Sequence, residues 1–178
     1  MNATITLPPP VAPKNRFRRY LAASEVKILT LRESGATTAE TMDEPRKIAA
    51  FFHASVATAS WFDPMKECLV VFMLNTRRNL MCWNLVTLGI LDSCLFHPRE
   101  IYRAAVVAGA SGIVIAHNHP SGDPTPSDPD IRMTRDLAQA GRTLKIDLLD
   151  HVVIGEPAID PCRTGYRSLR ELGYIHSI

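Results

Sequence analysis

The chain has 178 residues, of which 46% are hydrophobic and 21% charged, with a formal net charge of +2 at pH 7. This length is sufficient for one domain with a substantial hydrophobic core. The small charge does not favour a nucleic-acid or membrane partner through bulk electrostatics. No apolar run is long enough to cross a bilayer. The four cysteines form no C-x-x-C pair, which argues against a zinc ribbon or a thioredoxin-like redox site and predicts reduced thiols in the cytoplasm.

The first two dozen residues differ from the rest of the chain. No acidic residue precedes Glu25, and a basic cluster follows a run of three prolines. The segment 1–24 is therefore predicted to be a disordered, proline-stiffened tail before one domain at 25–178. A targeting peptide or an arm that contacts nucleic acid is the alternative, although the prolines disfavour a transit peptide. The basic residues are Lys14, Arg16, Arg18 and Arg19.

The first half of the predicted domain contains a strand, a helix and a hairpin. Residues 26–31 alternate in polarity, as in a half-buried strand. Residues 44–60 place apolar side chains at helical spacing, and Pro45 falls in the first turn, where proline is tolerated. The apolar run after Glu67 and the segment 80–88 are two strands joined by a polar turn, which predicts a hairpin.

The second half alternates helices with buried strands. Residues 98–109 predict a helix that begins with proline and ends with glycine. Residues 112–116 are continuously apolar, which is typical of a strand buried on both faces. A second helix is expected at 127–140, with Gly141 closing it.

Three short elements complete the predicted domain. Strands are expected near 144–146 and 149–154, and a last helical turn at 166–172. The alternation of helices and buried strands predicts a three-layer α/β domain with a mixed β-sheet flanked by helices. The sequence shows no internal repeat and no sign of a second domain.

A pair of histidines follows the buried strand at 112–116. His117 and His119 are two residues apart, so in an extended chain their side chains point to the same side and can converge. The end of a central strand is also the usual place for an active site in an α/β sheet.

Asp130 is the third candidate ligand. Ser127 is a natural N-cap, and Asp130 falls at the third helical position, as in a capping box. The first helical turn would therefore hold this carboxylate in a fixed place. The preceding loop, which is stiffened by prolines and turned by Gly122, can fold that turn back against the histidines.

Two imidazoles and one carboxylate form a three-ligand zinc site with an open fourth position, which is typical of catalytic zinc. Water in that position would acquire a pKa near neutrality. Each residue alone has a simpler explanation, because H-x-H pairs are common and Asp130 could merely complement the helix dipole. The joint spacing favours a metal. A zinc deaminase is excluded, because its H-x-E and P-C-x-x-C motifs are absent.

These residues carry a family resemblance. The sequence H-N-H-P that begins at His117, with Ser127 and Asp130 at their spacings, resembles the JAMM motif of the JAB/MPN metallopeptidases. The resemblance implies a JAB/MPN-like, cytidine-deaminase-like fold and extends from about Val26 to the C-terminus. The helix-hairpin-helix domain of longer RadC proteins is missing, so the chain resembles the short members. Three segments are similar to the RadC-like branch in particular: H-P-R-E at 97–100, A-H-N-H-P-S-G-D at 116–123 and L-D-H-V-V-I-G at 149–155.

Amide hydrolysis at zinc also needs a carboxylate that moves a proton. The residues alone leave Glu67 and Glu100 open, and Glu67 could equally be an ordinary charge at a strand edge. The resemblance favours Glu67, because the family's glutamate lies at the start of the same strand. It also implies that Ser127 hydrogen-bonds the oxyanion or the bound water, a role that is compatible with N-capping.

Two further residues are candidates for orienting a ligand imidazole. Asp150 and His151 follow one another in the resembling segment and could support the metal site. The alternative is that they form a turn between strands. His97 is expected to cap the following helix and not to bind metal.

Three functions remain as hypotheses. The first is a zinc-dependent peptidase or isopeptidase that acts on a peptide or protein substrate through a zinc-activated water. The second, implied by the RadC resemblance, is a DNA-repair-associated protein with an ancillary metal site, whose only evident basic patch is at residues 14–19. The third is a non-catalytic scaffold, which the complete ligand set disfavours.

Overall fold

The structure is a computed structural model and describes residues 41–89 and 97–175. The predicted tail at 1–24 and the predicted strand at 26–31 lie outside these residues. Within the described ranges, none of the helices combines the length and the apolar character needed to cross a bilayer.

Five strands form one mixed sheet in the order β2-β1-β3-β4-β5. β1 is antiparallel to both β2 and β3, β3 is parallel to β4, and β5 is antiparallel to β4. The predicted hairpin of β1 and β2 is confirmed. The strands are β1 (Cys68–Leu74), β2 (Leu80–Leu88), β3 (Gly112–Asn118), β4 (Asp147–Ile154) and β5 (Tyr166–Ser168).

Helices cover both faces of this sheet, so the three-layer α/β prediction is confirmed. Helix α1 (Pro45–Phe51) continues as a π-helical segment (Phe52–Val56) and packs on one face. Helices α2 (Pro98–Ala108) and α3 (Asp128–Leu144) pack on the other face. β1 and β3 are fully buried because alternate residues contact opposite helical layers, which explains their continuous apolar character.

Helix α3 is longer than the sequence predicts. It does not end at Gly141 but continues to Leu144, and Lys145 then adopts the left-handed conformation with φ 57°. Gly141 serves close packing instead, because a Cβ there would lie 2.5 Å from the Ile146 carbonyl oxygen and still closer to the Tyr102 hydroxyl. The strand expected at 144–146 is therefore wrong, since these residues end the helix and lead into β4.

The C-terminal segment also differs from its prediction. Residues 166–172 begin as strand β5 and not as a helical turn. Pairing with β4, from Val152 to Ile154, imposes the extended conformation. A series of turns follows β5, and Leu169 and Ile175 are buried there. Tertiary pairing thus overrides a local pattern that is too short to specify a strand.

Candidate metal centre

The end of β3 places two imidazoles together, as the alternation of a strand requires. His117 is the penultimate residue of β3 and is fully buried, whereas His119 follows the strand and is partly exposed. Their Nε2 atoms lie 3.0 Å apart. The backbone N–H of His119 donates to the Ile154 carbonyl at the end of β4, which holds the chain beyond β3 against the sheet.

Asp130 reaches the histidines from the first turn of α3. The predicted capping box is present: the Ser127 hydroxyl accepts from the Asp130 N–H, and the Asp130 carboxylate accepts from the Ser127 N–H at 2.7 Å. The carboxylate oxygens lie 3.3 Å from Nε2 of His117 and 3.5 Å from Nε2 of His119. The three candidate ligand atoms all lie within 4.8 Å of one another.

The second imidazole is oriented by the loop that joins β3 to α3. Nδ1 of His119 lies 2.8 Å from the Asp123 carbonyl oxygen. Because a carbonyl oxygen can only accept, Nδ1 must carry a hydrogen, and the Nε2 lone pair of the neutral ring is left free for a ligand. Gly122 shapes this loop with φ 79° and donates its N–H to the His119 carbonyl.

The electrostatics of the cluster fit a cation between these atoms. Burial lowers the pKa of His117 to about 4. Burial also opposes protonation of His119, but its hydrogen bonds to Asp130 and to the Asp123 carbonyl outweigh that effect and raise its pKa. Burial raises the pKa of Asp130, but its contacts with His119, His117 and Ser127 outweigh that effect and keep the pKa well below the ordinary value. An anionic carboxylate beside two closely spaced ring nitrogens therefore attracts one positive charge, either a proton or a metal ion.

Glu67 lies at the mouth of this cluster. It precedes β1, in which Leu69 pairs with His117, and the same register continued by two residues places Glu67 opposite His119. The side chain is partly buried. Burial raises its pKa, the charge of His119 opposes this shift, and the charge of Asp130 reinforces it.

A side-chain amide fixes the backbone on both sides of Glu67. Asn118 Oδ1 accepts from the Cys68 N–H at 2.9 Å, and Nδ2 donates to the Lys66 carbonyl at 3.0 Å. Glu67 is the residue between these two contacts. Asn118 was not singled out from the sequence, since an asparagine between two histidines carries no signal of its own.

A comparison with known families agrees with this geometry. A family model described as the RadC-like JAB domain matches residues 42–174, which is most of the chain. The chain belongs to this family. The match includes β1 to β5 and every residue of the candidate metal centre.

Three curated relatives of the RadC-like JAB chain are named as UPF0758 proteins. One from Thermotoga maritima is 38% identical over 154 residues, covering 84% of this chain and 66% of the relative. One from Chlorobium phaeovibrioides is 45% identical over 109 residues, covering 61% of this chain and 46% of the relative. UPF0758 protein TTE0897 from Caldanaerobacter subterraneus is 45% identical over 91 residues, covering 51% of this chain and 39% of the relative. The chain thus spans less than two thirds of the length of each of these relatives.

The remaining predicted residues of the RadC-like JAB domain occupy different places. Asp150 accepts hydrogen bonds from the Ser168 hydroxyl and from the backbone N–H groups of His151 and Arg170. It therefore holds the segment after β5 against β4, and it faces away from the ligand atoms. His97 caps α2, as expected, by accepting from the Arg99 N–H.

His151 contacts one of the candidate metal ligands from the side away from the cluster. Its Nε2 is 2.8 Å from Nδ1 of His117, and its Nδ1 is 2.6 Å from the hydroxyl of Thr134. Both His151 and Thr134 are fully buried. Thr134 was not predicted, because a threonine one turn into an amphipathic helix resembles any other buried helical residue.

Proposed function

We propose that this RadC-like JAB chain is a zinc-dependent hydrolase that cleaves peptide or isopeptide bonds with an activated water. The observation that carries the proposal is the convergence of two imidazole nitrogens and one carboxylate within 4.8 Å, with a carboxylic acid at the mouth. The resemblance to metallopeptidases supports the same class of reaction.

The donor set of the site fits zinc. Neutral imidazole and carboxylate are ordinary zinc ligands, and three protein ligands are typical of catalytic sites. His117, His119 and Asp130 would hold the ion. When bound, zinc would supply a Lewis acid that polarises the substrate carbonyl and lowers the pKa of a water molecule toward neutrality.

Glu67 is the proposed proton carrier. The charges of His119 and Asp130 both act on its carboxylate, which supports a position near the ligand cluster, and its raised pKa brings it closer to the range in which a group both accepts and donates a proton. Glu67 takes a proton from the attacking water as the carbon–oxygen bond forms. It then delivers this proton to the leaving amine as the carbon–nitrogen bond breaks.

Ser127 has a structural role in the described site and a proposed catalytic one. Its hydroxyl donates to the Asp130 carboxylate at 2.5 Å and accepts from the Asp130 N–H. To stabilise an oxyanion, as the family resemblance implies, this hydroxyl would have to turn its hydrogen from Asp130 toward the substrate. The oxyanion role therefore stays a prediction.

The test combines metal analysis with an unbiased search for cleaved substrates. Purified full chain loaded with zinc is incubated with a proteome-derived peptide library and with ubiquitin-like or branched peptide conjugates, and new amino termini are identified by mass spectrometry. We expect about one zinc ion per chain and products that are absent from the Glu67→Gln and His119→Ala variants. Glu100→Gln is the matched control, because this carboxylate is exposed on α2 and forms only surface ion pairs.

Two results would overturn the proposal. A wild-type protein that binds no zinc would remove the metal centre. Products that appear equally with wild type and Glu67→Gln would show that hydrolysis does not depend on the proposed proton carrier.

The DNA-associated alternative depends on residues 14–19, which lie outside the described residues. It predicts a salt-sensitive gel shift that is lost when residues 1–24 are deleted. If the intact chain produces no shift, this alternative is wrong.

A further inference from the structure

A buried chain of hydrogen bonds runs behind the metal centre. It begins at Nδ1 of His117, passes through both ring nitrogens of His151, and reaches the hydroxyl of Thr134. The same hydroxyl lies 2.6 Å from the backbone carbonyl oxygen of Asp130. This series of hydrogen bonds therefore connects Nδ1 of His117 to the helical turn that carries Asp130.

The direction of each hydrogen bond follows from the chemistry of the groups. The Asp130 carbonyl can only accept, so the single hydrogen of the Thr134 hydroxyl is directed to it. The 2.6 Å contact between Thr134 and His151 then needs a hydrogen from the other partner, so Nδ1 of His151 is protonated and donates to the hydroxyl.

The hydrogen on Nδ1 of His151 also determines which atom donates between His151 and His117. Both rings are fully buried, and the ring nitrogens of His151 contact His117 and Thr134, neither of which carries a negative charge that could balance a second ring hydrogen on His151. With its hydrogen on Nδ1, His151 can only accept at Nε2. Nδ1 of His117 must therefore donate across the 2.8 Å contact, which leaves the lone pair of its Nε2 directed at the cluster.

We infer that Thr134 and His151 are positioning residues that fix the tautomer and the ring orientation of His117 for metal binding. This inference rests on the proposed function. It concerns two residues that would support a ligand without binding the metal ion themselves. A His117 ring with its hydrogen on Nε2 could not ligate zinc through that atom without losing the hydrogen. Hydrogen-bonded partners of ligand histidines typically change metal affinity by about 10–100-fold when they are removed.

Helix α3 offers a matched control for this role. Thr143 lies on the same helix, and its hydroxyl also contacts the carbonyl oxygen four residues earlier, that of Gln139. Thr143 is exposed and lies near the other end of α3, far along the helix from Asp130. A threonine-to-valine change there removes a similar local hydrogen bond without touching His151.

The first measurement is zinc affinity of the full chain by competition with a chelating dye. We expect Thr134→Val to weaken zinc binding by about 10–100-fold, and Thr143→Val to leave it unchanged. Thr134→Ser keeps the hydroxyl and should restore most of the affinity. If Thr134→Val binds zinc as tightly as wild type, the inference is wrong while the proposed function stands; a wild type without zinc binding removes both.

The second measurement uses the wild-type protein without zinc, so its result does not depend on whether a variant folds. Long-range proton–nitrogen NMR correlations of the metal-free wild type distinguish rings protonated on Nδ1 from rings protonated on Nε2. We expect Nδ1–H for both His117 and His151. An Nε2–H tautomer at either ring would contradict the assignment, whatever the affinity of the variants.

Discussion

The two halves of the candidate site differ in their exposure to solvent. The inner half contains His117, Asp130 and the Thr134–His151 pair, all of which are buried. The outer half contains Glu67 and His119, which are partly exposed. Buried ligands with satisfied hydrogen bonds are suited to binding a metal in one geometry, whereas a proton carrier must meet water and substrate.

This difference predicts two separable classes of variant. Changes in the inner half should alter zinc affinity and the free energy of unfolding. Changes at Glu67 in the outer half should alter turnover and leave zinc binding and stability nearly unchanged, whereas changes at His119 should also remove a proposed zinc ligand.

Replacement of the proposed proton carrier should have the largest effect on turnover. Glu67→Gln keeps the size of the side chain but removes its ability to accept a proton. We expect the turnover of an identified substrate to fall by about 10²–10⁴-fold, the usual contribution of general acid–base catalysis. Zinc stoichiometry and thermal unfolding should match wild type. Loss of zinc from this variant would show that the two halves are not separable.

The inner half should make the metal-free protein sensitive to acid. Burial keeps the folded-state pKa of His117 and His151 below 6.5, so below pH 6.5 the unfolded chain binds protons that the folded chain excludes. Their contribution to stability is present above pH 6.5 and is lost as the pH falls toward 4, at roughly 1.4 kcal/mol per pH unit for each excluded proton. His119 has a raised pKa, so its contribution has the opposite sign and is lost only as the pH rises through that value.

Urea unfolding of chelator-treated protein at pH 7, 6 and 5 measures this dependence. We expect the free energy of unfolding to fall continuously across the series. A His151→Gln variant should show a shallower dependence, because one of the two excluded protons is gone. A constant free energy of unfolding between pH 7 and 5 would contradict the proposed neutral, buried rings.

The outer half should be sensitive to the placement of Glu67 as well as to its chemistry. Asn118→Ala removes both amide contacts to the backbone around Glu67. Since a displacement of about 1 Å at a reacting group can cost about 10²-fold in rate, we expect a loss of turnover of up to that size. Zinc affinity should remain within error of wild type.

A double-mutant cycle checks that this effect acts through Glu67. In the Glu67→Gln background, Asn118→Ala should reduce the residual turnover little further, because the two changes remove one function. Independent, multiplicative losses would indicate that Asn118 supports the fold in general and not the position of Glu67.

The smallest expected effect is on the cap of α3. Ser127→Ala removes the hydroxyl that accepts from the Asp130 N–H, which should lower the free energy of unfolding by about 1 kcal/mol. It should also weaken zinc binding, because the Asp130 carboxylate loses a hydrogen bond that orients it. Ser127→Thr retains the capping group and serves as the control. Equal stability of Ser127→Ala and wild type would show that the capping box contributes nothing.

Local sequence patterns were sufficient to predict the features whose interacting residues lie close together in the sequence. The capping box at Ser127 and Asp130 was predictable because both partners lie within one helical turn. The convergence of His117 and His119 followed from the alternation of a strand, and the buried character of β3 from its unbroken apolar run. The β1–β2 hairpin was predictable for the same reason, since its two strands are joined by a short polar turn.

Contacts between distant segments decided the rest. Gly141 looked like a helix end, but it lies where α3 passes the Tyr102 hydroxyl, so the helix continues. Pairing with β4 made residues Tyr166–Ser168 a strand. The family resemblance pointed to Glu67, but only the register of β1 against β3, continued two residues beyond the pair of Leu69 and His117, places it opposite His119.

The same distinction applies to the residues around the candidate metal ligands. His151 could be suspected from its segment, whereas its contact with Thr134 joins residues 17 apart in sequence across α3 and β4. The Asn118 amide reaches residues 50 and 52 positions away. A ligand set can be recognised from spacing because each ligand has a specific chemistry. The groups that orient those ligands are ordinary side chains, and their role becomes visible only from their contacts in the tertiary structure.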